Sequence, residues 1–146
     1  MIKKTIVAMC VTGMLAGCVE ETRITGGELV DAGSTAAGLA TGLAEGNPIW
    51  SWCGNAAPLC VLGGKIVIKS AAIRAGADPE QVDKSFHTAG MAAGCWNVAT
   101  IAGAATGVGA IAGAICYFIA LHQWEKRERE QREHFGIVAG RREEEV

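Results

Sequence analysis

Large side chains and net charge are both scarce in this chain. Aromatic residues make up 5% of it, although half of all residues are hydrophobic. The apolar area therefore comes from Ala, Val, Ile and Leu, and a water-soluble core built from them buries little surface, at about 25 cal/mol per Å². Twenty glycines add a conformational cost on folding. Close packing of helices in a membrane suits this composition better than a conventional core. The 13 basic and 15 acidic residues nearly cancel, and they gather in the last quarter instead of forming a basic face, which argues against nucleic acid as a partner. Charge is missing altogether from residues 88–121.

The N-terminus carries an export signal: a basic start at Lys3 and Lys4, an apolar stretch over 6–15, and small residues at Ala16 and Gly17. The stretch is shorter than the roughly 20 residues a spanning helix needs, so 1–17 reads as a signal peptide that is removed. Leu15-Ala16-Gly17-Cys18 resembles the lipobox of bacterial lipoprotein precursors, and the resemblance covers those four positions alone. It implies cleavage between Gly17 and Cys18, a diacylglycerol on the Cys18 thiol, and acylation of the new amino end, with palmitate the expected chain. The lipid is covalent, and no separate cofactor is expected. A thiolate is a good nucleophile for attack on a lipid donor, and two or three acyl chains hold firmly where one holds marginally. The absence of Asp at position 19, which is Val19, resembles cargo sorted to the outer membrane.

The mature chain reads as all-α, with small-residue-rich helices and one long C-terminal helix that spans a membrane in part. Residues 18–27 form a lipidated tether. Residues 28–76 form a helical hairpin, with a first helix over 28–45 and a second from 56 or 58 to 76, whose polar side carries Lys65, Lys69 and Arg74. Lys65-Ile66-Val67-Ile68 also fits a strand. Trp50 and Trp52 between the helices sit either at a membrane–water interface or over a small core. Asp78, Pro79 and Glu80 start the long helix over 77–134 as N-cap, first helical residue and first-turn acid. Its segment 98–121 is long enough to cross about 30 Å of hydrocarbon. Gly103 with Gly107, and Gly109 with Gly113, have the spacing that lets two helix backbones approach closely. Tyr117 and Trp124 fall towards its far end. A charged tail over 135–146 completes the chain.

Lys126, Arg127, Arg129 and Arg132 outweigh Lys84, which lies towards the other end of that helix. Positive residues then place the C-terminus in the cytoplasm and favour the inner membrane over the outer, against the hint from Val19.

Cys10 leaves with the signal and Cys18 takes lipid, which leaves Cys53, Cys60, Cys95 and Cys116. Export implies an oxidising compartment and disulfides. Cys53 and Cys60 flank a short turn and are placed to close it, and Cys60 with Cys95 is the chief rival pairing. A zinc site at His87, Cys95, Cys53 and Cys60 lacks C-x-x-C spacing and a second helical His, so no metal is expected. Gly63-Gly64-Lys65 lacks the spaced first glycine and following Ser/Thr of a phosphate loop. Asp83 and His87 share a helical face, but a nucleophile, a base and an oxyanion site do not assemble, so an enzyme is not expected. The expected role is a membrane-anchored structural or accessory subunit of a cell-envelope assembly, with membrane lipid and a second copy or another envelope protein as partners. The alternative is a membrane-active or exclusion lipoprotein carried by a phage or mobile element.

Overall fold

The computed structural model describes residues 22–44, 47, 49–103 and 106–144, with side chains of the last helix described up to His134. Gly17 and Cys18, the expected cleavage and lipidation positions, lie outside the described residues. Four α-helices and no strand are present among the described residues: α1 Gly26–Ala40, α2 Ala57–Arg74, α3 Pro79–Ile101 and α4 Thr106–Glu144, with a 3-10 segment Ser51–Ala56 before α2. The fold is all-α as the sequence implied, and Lys65 to Ile68 are helical.

Local sequence explains the helix ends. Thr25 is extended, and its N–H donates to Glu28 Oε2 at 2.7 Å, which opens α1. α1 closes with Leu43 N–H donating to Gly38 O and Gly42 N–H to Leu39 O, the paired bonds of a Schellman end. Asp78 caps α3 by accepting from Gln81 N–H at 2.9 Å, with Pro79 first in the helix. The Cys53–Cys60 disulfide closes the 3-10 turn onto the first turn of α2.

The single long helix expected over 77–134 is two helices. The chain turns after Ile101, where Gly103 adopts φ +77°, a conformation glycine takes without a Cβ penalty. α4 folds back along α3, and a Cys95–Cys116 disulfide links them. Cys95 is thus paired, with Cys116 and not with Cys60. The apolar segment 98–121 accordingly straddles a turn and is no single span. The helices long and apolar enough to cross a membrane are instead Ser51–Arg74, counted with its 3-10 turn, and Gly107–His134.

α3 is the central helix, packed on α1, α2 and α4, while α1 also touches α2. Glycines permit the closest crossing, but not those picked from the sequence. A Cβ on Gly90 would lie 2.4 Å from the carbonyl carbon and oxygen of Gly27, and one on Gly27 would lie 1.9 Å from the His87 carbonyl oxygen. Gly103 is in the turn and Gly107 faces open space; only Gly109, against Trp96, and Gly113, against the Ala92 carbonyl, meet another helix. The local i, i+4 pattern did not record which face each glycine occupies once the chain reverses.

The four helices alternate in direction, so the bundle has two unlike ends. At one end Gly27 meets His87, His87 stacks near Trp124, and Lys84 pairs with Glu125. At the other, Gly38 lies near Ile101, and Leu43, Asn47 and Ala110 line one cavity. Lys84 therefore sits at the same end as 126–132, not opposite it, which removes the charge comparison that put the C-terminus in the cytoplasm.

The glycine contacts make opposed predictions. Gly27→Ala forces α1 and α3 apart and lowers stability by about 1–3 kcal/mol, as overpacking does. Gly33→Ala, where nothing lies within 4 Å of an added Cβ, raises it by about 0.5–1 kcal/mol. Denaturant unfolding of the two variants in detergent reads both signs.

Candidate functional site: a buried ionic ladder

The interior of the bundle is polar. Its largest fully buried side chains are Lys69, Glu28, Thr88 and Ser70, whereas Leu59, Ile111, Ile115 and Phe118 are 54–75% exposed. The usual order of a water-soluble protein is inverted.

α1 supplies one wall. Glu28, Asp31, Ser34, Thr35 and Gly38 are all buried, and at offsets of three and four they form one stripe along the helix. α2 supplies Lys65 and Lys69, one turn apart. Both face inward, so the polar side read for this helix points into the protein. α3 supplies Asp83, His87 and Asn97.

Lys69 Nζ lies 3.1 Å from Glu28 Oε2 and 2.6 Å from Asp83 Oδ1, and it donates to the Arg23 carbonyl oxygen. Those three acceptors match the three protons of an ammonium group. The Phe86 ring lies 5.8 Å from the same nitrogen. One turn along, Lys65 Nζ pairs with Asp31 Oδ2 at 2.5 Å. Asn97 Nδ2 extends the ladder, donating to Ser34 Oγ at 3.0 Å and Thr35 Oγ1 at 3.2 Å and lying 3.5 Å from Asp31 Oδ1. Three carboxylates thus face two ammonium groups. The buried Glu28 Oε1 and Thr25 Oγ1 have no hydrogen-bond partner.

His87 caps the ladder at the charged end, outside the two apolar helical windows. Its Nδ1 accepts from Gly27 N–H at 3.1 Å, which requires the neutral ring with its proton on Nε2. Burial, then the nearby Arg127 charge, hold its pKa below the ordinary value, opposed by Glu28. Trp124, 5.3 Å from the ring, donates from Nε1 to Glu128 Oε1 at 2.7 Å. Asp83 and His87, which share a helical face, are thus separately occupied, Asp83 by Lys69 and His87 by α1.

Two cavities flank the ladder. One, of about 1050 Å³, opens at the charged end beside Thr25, Asp83, His87 and Trp124. The other, of about 770 Å³, lies towards the far end beside Ser34, Thr35, Asn97 and Trp96. The four cysteines among the described residues are all in disulfides, and no group of His, Cys, Asp and Glu among the described residues is arranged to hold a metal.

Sequence reading missed Glu28, Asp31, Lys65, Lys69 and Asn97. The signal was present as a polar stripe at helical spacing within a helix otherwise made of small and apolar residues, with two lysines at i, i+4 in the next helix. No family model, curated protein or solved structure matches this chain.

Removing one partner of a buried pair leaves the others uncompensated. Lys69→Met strands two carboxylates and costs about 3–5 kcal/mol, while Lys69→Met combined with Glu28→Gln and Asp83→Asn recovers most of it. Denaturant unfolding in detergent compares the two. His87 sets a pH dependence. Because its pKa is lower in the folded protein than in the unfolded chain, its contribution is complete above the unfolded value and is lost as pH falls through the folded value. Acidification from neutral pH is expected to loosen the α1–α3 contact, and His87→Gln to flatten that part of the stability profile.

Proposed function

We propose that this chain is a membrane-embedded lipoprotein that serves as a structural or accessory subunit of a cell-envelope assembly. The observation that carries the reading is the inverted distribution of side chains among the described residues: ionic and hydroxyl groups inside with only Ala57, Val61, Val82 and Ala120 as buried apolar company, and many Leu and Ile side chains together with Phe118 outside. In water this arrangement loses twice. The exposed apolar surface gains nothing from folding, and the buried ions give up hydration that their pairing repays poorly. In lipid both terms change. Outward apolar side chains match the solvent, and helices that have no hydrophobic reason to associate are held by polar contacts and close glycine packing.

On this reading the ladder is structural glue and has no chemistry to perform. The lipobox-like Leu15-Ala16-Gly17-Cys18 supplies a second anchor. α4 contributes to an assembly because, among the described residues, it packs chiefly on α3, leaving Val108, Ile111, Ile115 and Phe118 on a face open to lipid, a second copy or another envelope protein.

Two measurements on one preparation test this. Cys18→Ala is expected to abolish incorporation of labelled palmitate yet remain in the membrane pellet after an alkaline wash. Release of that variant as a soluble protein overturns embedding by the helices. Native electrophoresis of the detergent-solubilised wild type is expected to give a discrete complex, and a single-chain species overturns the assembly role.

A further inference from the structure

Three features of the bundle bear on which bilayer it fits: the height of its apolar belt, the end at which the chain enters, and the position of its disulfides. The belt is short. α1 has 15 residues, about 22 Å at 1.5 Å per residue. The uncharged stretches of α3 and α4, 88–101 and 107–121, each run about 21–22 Å on the same rise, and α2, with 18 residues, runs about 27 Å. A typical hydrocarbon core is about 30 Å thick, whereas the bacterial outer membrane is thinner, with apolar bands of about 25 Å on the proteins that cross it.

The number of passes is even. α1 begins, and the uncharged part of α4 finishes, at the charged end, where Lys84 meets Glu125 and His87 meets Trp124. Cys18 lies four residues before Thr22, so a lipid on it reaches no further than about 14 Å from that residue. The lipid and the basic segment 126–132 accordingly share one side of the bilayer. The far end carries the Cys53–Cys60 disulfide and the turn between α3 and α4. With lipid on the exported side of an inner membrane, that disulfide would face the reducing cytoplasm, where such bonds do not persist. In the outer membrane neither face meets the cytoplasm.

We infer that the bundle crosses the outer membrane, with the lipid on Cys18 and the charged part of α4 on the periplasmic side and the disulfide-closed loop around Cys53 and Cys60 outside the cell. The partner of the apolar belt is the lipid of a thin bilayer. This rests on the membrane-embedded reading above. It also explains why the basic residues give no topology: the positive-inside preference belongs to the cytoplasmic membrane, and here the charged end is a periplasmic one.

Residues 41–56 and 101–107 contain no lysine, so a surface-amine label distinguishes the arrangements. Intact cells producing the wild type or Asn55→Lys, each with a C-terminal tag, are treated with a membrane-impermeant biotin ester before and after permeabilisation of the outer membrane, and their membranes are separated by density. The expected result is both proteins in the outer-membrane fraction, Asn55→Lys labelled well above wild type in intact cells because the loop around residue 55 otherwise carries no lysine, and antibody access to the tag only after permeabilisation. An inner-membrane fraction, or Asn55→Lys labelled only after permeabilisation, overturns the crossing while leaving membrane embedding intact. A protein that washes off as soluble overturns both. Reconstitution of the wild type into short-chain and long-chain phosphatidylcholine vesicles gives an independent reading: more complete insertion in the short-chain vesicles is expected, and equal or better insertion in the long-chain ones counts against the belt height.

Discussion

Lys69 lies between Glu28 and Asp83, and most of the fold is arranged around keeping it there. A fully buried ammonium needs three acceptors and a counter-charge, and it obtains them from α1, α3 and the strand of chain leading into α1. Those contacts tie α2 to both neighbours at the charged end. They also explain why α1, rich in Gly and Ala and weak as an isolated helix, is held in place. Its buried face is a line of hydrogen-bonding groups that has few satisfactory positions other than against Lys65, Lys69 and Asn97.

The second constraint is backbone proximity. Gly27 and Gly90 let α1 and α3 touch through their main chains, and His87 accepts the Gly27 N–H that this approach exposes. Polar contact and close approach reinforce each other: the ladder sets the register, and the glycines bring its two walls within hydrogen-bonding reach. In the proposed membrane environment both effects would matter more, since the apolar term that dominates in water is nearly absent between helices in lipid.

The all-α class, the start of α3 at Asp78 and Pro79, the helical hairpin ahead of it and the Cys53–Cys60 loop were legible in the sequence. Each depends on local chemistry: a cap, a fixed φ, a turn short enough to close. The reversal at Gly103 was not. Ala102-Gly103-Ala104-Ala105 contains no proline and no polar capping side chain, and an uncharged Ala/Gly run continues a helix as readily as it ends one. Missing that turn moved Lys84 to the wrong end, turned 98–121 into a single span, and assigned packing roles to Gly103 and Gly107, which meet no other helix. The lysines of α2 were misread for a related reason. Polar side chains at helical spacing mark one face of a helix, but not whether that face meets water or protein.

The sequence by itself determined the helical class, the lipobox-like N-terminus, the small-residue composition and the separation of an uncharged segment from a charged one, because these follow from residue type and short spacings. Tertiary structure alone decided that the polar faces turn inward, that Cys95 pairs with Cys116, and that Lys84 and the basic segment share an end. Those properties depend on where the chain reverses, and a single glycine taking positive φ changes every long-range neighbour downstream without changing the local pattern on either side of it.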